Sequence, residues 1–181
     1  MNAQKGPNQF LELLRERKSI RRFTDKPVEP EKIEILSQAL CISPTSRNLR
    51  PWEFIVVTDK AVMAKLAQSK IAGSAFLAEA ALCVAVCADS ARSDVWIEDC
   101  SIASILVQLA AQSVGLGSCW VQIRQRMHSE QVSSESYVRE ILHIPEEISV
   151  ESIIGIGYSA DATGSTRKYT VDTSKIHWEI Y

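Results

Sequence analysis

The chain has 181 residues, 46% of them hydrophobic, so it is long and apolar enough to form one compact domain around its own core. The longest apolar stretch, around residues 78–88, is too short to span a bilayer, and the polar first ten residues lack the apolar run of a secretory signal. These features argue against membrane contact and predict a cytoplasmic protein. The net charge of −2 and the lack of a long basic stripe argue against nucleic acid as a partner.

Cysteine and histidine usage argues against disulfides and metal sites. The five cysteines form no CxxC pair and lie in apolar context, which predicts buried free thiols in a reducing compartment. The three histidines, at 128, 143 and 177, lie far apart and show none of the spacings of a zinc site. We therefore expect no bound metal.

The first half of the chain predicts three helices and two strands. Asn8 opens the first amphipathic pattern, Asp59 is placed to cap a helix, and Pro30 suits the first turn of another. The β-rich run WEFIVV predicts a strand. In chain order the predicted elements are a helix from 8 to about 17, a helix after Pro30 that ends before Pro44, a strand at Trp52–Val57, a helix over 61–70 and a buried strand over 80–88.

The second half predicts a long helix that Asp94 can cap and Gly115 can end. The other predicted elements are a turn and short strand within 115–122, a helix at Ser134–Leu142, a strand over 153–158 and an extended tail from 166. The chain contains no internal repeat and no linker, so we expect a single α+β domain over residues 1–181. The apolar C-terminal residues 176–181 are predicted to dock on a surface.

A basic cluster follows the first helix, where RERKSIRR at 15–22 carries five of the 20 cations against one acid. Arg17, Lys18, Ser19 and Arg21 supply forked guanidinium groups, an ammonium group and a hydroxyl group, which suit a dianionic phosphate. The alternative interpretation is a solvated basic face at the end of a surface helix. The cluster alone does not decide between them.

Further motifs follow in order along the chain. They are RKSIRRF at 17–23, PTSRN at 44–48, PWEF at 51–54, D-x-x-x-A at 99–103, GLGSCW at 115–120, Gly-x-Gly at 155–157 and a basic pair at 167–168. Each has an ordinary structural explanation, such as a polar loop after a helix or a helix stop followed by a turn. As an ordered set over nearly the whole chain, they resemble the nitroreductase family.

The resemblance implies a fold, a cofactor and an activity. The implied fold is an α+β three-layer sandwich, with a mainly antiparallel sheet flanked by helices, in an intertwined homodimer whose C-terminal segment wraps around the partner. The implied cofactor is FMN, reduced by NADH or NADPH. The implied reaction transfers hydride through flavin N5 to a nitroaromatic, a quinone or a similar small electron acceptor. The sequence contains no GxSxG motif, no Cys–His pair at a family spacing and no Walker motif to suggest another chemistry, and a triad would need residues from distant segments.

The resemblance also implies a set of flavin contacts. Arg17 and Lys18 correspond to phosphate contacts, and Ser19 and Arg21 to contacts nearer the ribityl chain and pyrimidine, whereas Arg22 lies outside the set. Arg21 is the catalytic candidate, because a cation near flavin N1 stabilises the charge that reduction adds. The other implied contacts are Trp120, Val121 and Gln122 beside the ring, Arg167 or Lys168 at the phosphate, and Pro44, Thr45, Ser46 and Asn48 reaching the partner's flavin.

Several departures from the family pattern leave alternatives open. Arg50 stands where Gln is frequent, and the chain lacks the long insertion that forms a substrate lid in larger members. The same scaffold also supports dehalogenation, flavin fragmentation and azoline oxidation. A flavoprotein that binds FMN for storage or redox sensing, and an anion-binding module without flavin, are the alternatives outside this enzyme class.

Overall fold

The computed structural model describes residues 8–161 and 170–181. Within them, five α-helices and four strands alternate along the chain. The elements are α1 Gln9–Glu16, α2 Pro30–Cys41, β1 Trp52–Val57, α3 Lys60–Leu66, β2 Leu82–Asp89, α4 Trp96–Ser113, β3 Gly117–Gln122, α5 Ser134–Leu142 and β4 Ile148–Gly157. Short 3₁₀ turns lie at Ser46–Asn48, Ala75–Ala78 and Thr173–Lys175.

The four strands form one antiparallel sheet in the order β1-β2-β4-β3. The sheet is buried on both faces, which explains why β2 is apolar along nearly its whole length. Leu36 and Leu40 of α2 pack with Val107 of α4 against one face. Met63 of α3 and Val138 of α5 pack against the other. The predicted three-layer α+β sandwich is therefore confirmed.

Helix ends show which local predictions were right. The Asn8 side chain caps α1, the Asp59 side chain caps α3, and Gly115 follows α4 with a φ of 77°. Asp94 was predicted to cap α4, which is wrong, because the N-cap is Val95 and Asp94 pairs with Arg47 instead. Tertiary pairing has here replaced the capping interaction.

Other boundaries differ from the sequence predictions. The helix predicted over 61–70 ends at Leu66, because the Ser74 hydroxyl bonds the Ala67 carbonyl at 2.8 Å and accepts the Lys70 N–H at 3.2 Å. Strand β4 begins at Ile148, five residues earlier than predicted. Of the tail predicted to be extended from 166, residues 166–169 lie outside the described part of the chain. None of the described helices is both long and apolar enough to cross a membrane.

Candidate active site

The basic segment, residues 17–22, lies against the first residues of β3. Ser19 forms a parallel bridge with Ser118, and the Ile20 N–H donates to the Ser118 carbonyl at 2.9 Å. Just beyond the segment, Phe23 bridges Ser159. Ile20 and Phe23 are buried and act as apolar anchors. The chain that carries the cations is therefore fixed where β3 begins and β4 ends.

Gly117 allows this close approach. A Cβ atom at Gly117 would lie 2.7 Å from Cγ1 and 2.9 Å from Cβ of Ile20, closer than van der Waals contact permits. The glycine at the start of β3 is therefore required by packing, and not only by the turn that the sequence suggested. Any side chain there must push the basic segment away from the strand.

Three side chains of the basic segment gather around one point on β3. Burial raises the pKa of the Cys119 thiol, while the charge of Arg21, a hydrogen bond with Ser19 and the charge of Arg17 lower it. Arg17, Ser19 and Arg21 are therefore in the neighbourhood of Cys119, which follows the Ser19–Ser118 bridge on β3. Arg17 is half-buried, whereas Ser19 and Arg21 are exposed and open to a ligand.

The other cations near the predicted phosphate site differ in their surroundings. Lys18 is half-buried within the same segment. Arg22, which is not in the predicted set, forms an ion pair with Asp161 at 3.7 Å. Arg167 and Lys168 lie outside the described residues.

Strand β3 is an edge strand. Its inner edge pairs with β4 through Gln122. Over the described residues, its outer edge carries only the bridge from Ser19 to Ser118, so no second strand covers 119–122 on that side. The Trp120 indole Nε1–H donates to the Gln122 side-chain oxygen at 3.0 Å, and both side chains are half-buried. Val121 is buried on the opposite face. Among the described residues, the outer edge of β3 is therefore covered by the basic segment at its start and by no strand beyond it.

The 44–50 loop is anchored on the start of α4. The buried Asp99 carboxylate accepts the Ser46 N–H at 2.9 Å and the Ser93 hydroxyl at 3.2 Å. Arg47 pairs with Asp94 in the same region. Asp99 was noted in the sequence only as part of a motif, and the structure shows that it is the anchor of this loop.

The loop has an unusual backbone. Arg47, Asn48 and Arg50 have φ angles of 51°, 53° and 48°, a conformation that residues other than glycine rarely adopt. The Thr45 hydroxyl accepts the Arg50 N–H at 3.0 Å, and the Asn48 side chain accepts Arg50 Nε–H at 3.0 Å. These contacts hold the loop in one shape and leave Pro44 and Asn48 exposed.

The loop and the basic segment lie at opposite ends of the sheet. The loop leads into Trp52, which pairs with Ala88 of β2, whereas the basic segment meets Ser118, which lies level with Leu82 of β2 through β4. Six residues of β2 separate these levels, which is about 20 Å along the strands. β1 and β3 are also the two opposite edges of the sheet. One chain therefore does not bring the two predicted groups of flavin contacts together.

The fold and this site define a class of protein. It is an α+β sandwich in which a basic segment lies beside an edge strand of the sheet. Among residues 8–161 and 170–181, no cluster of three or more His, Cys, Asp or Glu side chains is placed to hold a metal ion. The sequence pattern of the nitroreductase family matches residues 14–82 and 73–158. The chain belongs to the nitroreductase family, as predicted.

Individual relatives agree with this assignment. The chain is 36% identical over 155 residues to a candidate NADH dehydrogenase/NAD(P)H nitroreductase from Archaeoglobus fulgidus, which is 83% of this chain and 86% of the relative. An FMN-dependent nitroreductase structure from Clostridium difficile superposes with a TM-score of 0.91 at 41% identity, covering 94% of this chain and 99% of that one. A candidate NADH dehydrogenase/NAD(P)H nitroreductase from Bacteroides thetaiotaomicron superposes with a TM-score of 0.87 at 36% identity, covering 97% and 100%.

Proposed function

We propose that FMN lies along the outer edge of β3, with its phosphate at the basic segment and its ring beside 120–122. The chain is an NAD(P)H oxidoreductase of the nitroreductase type with FMN as its cofactor, as predicted from the sequence. The observation that supports the placement is the docking of the basic segment at the start of that edge, where Ser19 bridges Ser118 and the Ile20 N–H donates to the Ser118 carbonyl at 2.9 Å.

The residues at this point fit a phosphate monoester. Two guanidinium groups and a hydroxyl group provide several donors to anionic oxygens, and charge-assisted hydrogen bonds of this kind are the strong ones. The fixed backbone at Ile20 and Ser118 orders these donors before a ligand arrives, which lowers the entropic cost of binding. Lys18 and one of Arg167 and Lys168 are proposed to complete the set.

Bound FMN would supply hydride chemistry between a nicotinamide donor and a small electron acceptor. The chain contributes binding, orientation and electrostatics. Arg21 is proposed to stabilise the negative charge that reduction adds, which is strongest in a site partly shielded from water. Backbone N–H groups on the open edge of β3 are proposed to meet the ring near N5. The proposed acceptor is a nitroaromatic, a quinone or a similar small molecule.

A second copy of the chain is proposed to complete each site. Pro44, Thr45, Ser46 and Asn48 are held about 20 Å along the strands from the basic segment, so their proposed flavin contact needs another subunit. Apolar surface suited to an interface is exposed on two helices and on the tail. It comprises Phe10, Leu11 and Leu14 of α1, Ile102 and Ile105 of α4, and Trp178, Ile180 and Tyr181.

Flavin titration of matched variants tests the proposal. The purified protein is expected to bind about one FMN per subunit. Arg17→Ala is expected to weaken binding by about 1.5–3 kcal/mol, the range for a hydrogen bond to a charged group. Arg22→Ala is the control, because Arg22 faces Asp161 and should leave the affinity unchanged. Equal affinities for the two variants would place the phosphate elsewhere.

Two further measurements test the subunit arrangement and the activity. Light scattering is expected to give twice the chain mass for the FMN-bound protein, and a monomer that retains FMN contradicts the shared site. Anaerobic stopped-flow mixing with NADH and with NADPH is expected to bleach the flavin absorbance with at least one donor. An FMN complex that neither donor reduces contradicts the oxidoreductase mechanism.

A further inference from the structure

A buried carboxyl group lies beside the proposed flavin edge. Strand β4 contains a bulge, because Val86 pairs with Ser152 and Cys87 pairs with Val150, which leaves Glu151 as the extra residue. The Glu151 carbonyl accepts the backbone N–H groups of residues 123 and 124 at 3.1 and 3.0 Å. The Glu151 side chain is only 2% exposed. The bulge therefore fixes this residue where β3 ends.

The Glu151 side chain meets the polar pair on β3. Gln122 pairs with Ser152, the residue after Glu151, and the Glu151 carbonyl binds the two N–H groups that follow Gln122, so Glu151 lies next to Gln122 at the end of β3. Trp120 Nε1–H donates to the Gln122 oxygen at 3.0 Å, while the Gln122 NH₂ group lies 3.4 Å from the Arg124 carbonyl. The Gln122 amide therefore has a donor at its oxygen end and acceptors at its nitrogen end. Its orientation is specified by this arrangement.

One oxygen of this carboxyl group has no partner. Glu151 Oε2 is removed from solvent and makes no hydrogen bond within the described residues. An unsatisfied buried polar group of this kind costs about 1–3 kcal/mol. On the α4 side, Ser152 shares a hydrogen bond with Ser104 at 3.0 Å, so the surrounding polar contacts are otherwise made. The cost indicates that Glu151 does something that an apolar residue would not.

We propose that Glu151 is a positioning residue for the flavin, holding the Gln122 amide so that Gln122 and Trp120 present one fixed surface at the outer edge of β3. This inference rests on the proposed function, because it needs the ring to lie beside 120–122. Glu151 acts through Gln122. It is buried behind the strand, so its effect on the flavin is through orientation and charge.

The charge state of Glu151 affects flavin reduction in a way that packing alone does not. Burial raises the pKa of Glu151, although hydrogen bonds from Ser152 and Gln122 and the charge of Arg124 oppose the rise. On α4, the pKa of the Cys100 thiol is raised by burial first and then by the charge of Glu151, so this thiol is the titratable group of α4 that lies near the carboxyl. Ionised Glu151 adds a negative charge near the ring and opposes reduction, whereas neutral Glu151 does not.

The first test uses the protein without flavin, so it does not depend on FMN binding. Indole ¹⁵N–¹H spectra of tryptophan-labelled protein report the Trp120 hydrogen bond, with the resonance assigned from Trp120→Phe. Glu151→Leu is expected to shift this resonance, and Glu151→Gln, which keeps an acceptor, is expected to restore it. Ser104→Ala removes a nearby core hydrogen bond without touching Gln122 and is the control. An unchanged resonance in Glu151→Leu, or an equal shift in Ser104→Ala, overturns the inference.

The second test uses the FMN-bound protein. The flavin reduction potential of the unmutated protein is expected to fall more steeply with rising pH than that of Glu151→Gln, over the range in which Glu151 ionises. Superimposable pH profiles overturn the inference. Failure of the unmutated protein to bind FMN would instead contradict the proposed function. The contact between Glu151 and Gln122 would then be tested by the first experiment alone.

Discussion

Gly117→Ala tests whether packing of the basic segment against β3 builds the cofactor site. The new Cβ would lie 2.7 Å from Ile20 Cγ1, and Ile20 is too buried to swing into solvent, so the segment itself must move. Overpacking of this kind typically costs about 1–3 kcal/mol of unfolding free energy. Displacement also lengthens the 2.9 Å hydrogen bond from Ile20 N–H to the Ser118 carbonyl. Loss of one phosphate contact then weakens FMN binding about tenfold or more.

The matched control is Gly115→Ala. Gly115 has a φ of 77° and no atom near its missing Cβ, so alanine there introduces backbone strain without a clash. That strain costs about 1–2 kcal/mol, similar to the loss expected for Gly117→Ala. Urea unfolding of both apoproteins measures stability, and fluorescence titration measures FMN affinity. If Gly117→Ala loses stability but binds FMN as Gly115→Ala does, contact with β3 does not organise the site.

Three further predictions concern single groups. Arg21→Ala should lower the flavin reduction potential, by roughly 30 mV for each 1.4 kcal/mol by which Arg21 stabilises the reduced flavin over the oxidised one. Arg17→Ala should shift the potential much less. Equal shifts for the two variants in spectroelectrochemistry contradict the catalytic role of Arg21. Ellman's reagent should titrate only Cys41 in the native protein, because the other four thiols are buried. Burial also raises the pKa of the two thiols on β2 to about 12. Reaction of a second thiol in the native protein contradicts this prediction. The pKa of Glu29 is lowered to about 2 by a hydrogen bond from Tyr158 and by a neighbouring lysine. Ionised Glu29 therefore stabilises the folded protein above pH 4.5, and this contribution to the free energy of unfolding is lost as the pH falls towards 2. In acid unfolding, Glu29→Gln should show no such pH-dependent loss of stability.

Local signals in the sequence were sufficient where a single interaction decides the structure. Asn8 and Asp59 cap their helices because each side chain reaches two backbone N–H groups within its own turn. Gly115 ends α4 because the chain needs a positive φ there. The basic segment was visible because four of its six residues are cations. Such features depend on neighbours in sequence, so they could be predicted without the fold.

Features that depend on distant residues could not be predicted in this way. Asp94 is a residue type that commonly caps helices, but it pairs with Arg47, which lies in another part of the chain. Gly117 was assigned to a turn because its close neighbour, Ile20, lies almost a hundred positions earlier. Glu151 interrupts an apolar run, so the sequence predicted a strand starting only after it. A bulge has no signature in one strand alone, since it is defined by the pairing of two.

The 44–50 loop combines backbone strain with rigidity, and both properties bear on the proposed site shared between subunits. Three residues other than glycine hold positive φ angles there, each at a cost of about 1–2 kcal/mol where the side chain does not relieve it. Asp99 and Thr45 compensate by fixing the backbone, so the loop is rigid and presents Pro44 and Asn48 outwards. Rigidity of this kind benefits binding, because less conformational entropy is lost when a ligand arrives. Within one chain the basic segment lies about 20 Å away along the strands and at the opposite sheet edge. The strained and rigid loop therefore supports the proposal that Pro44 and Asn48 contact the flavin of a second subunit.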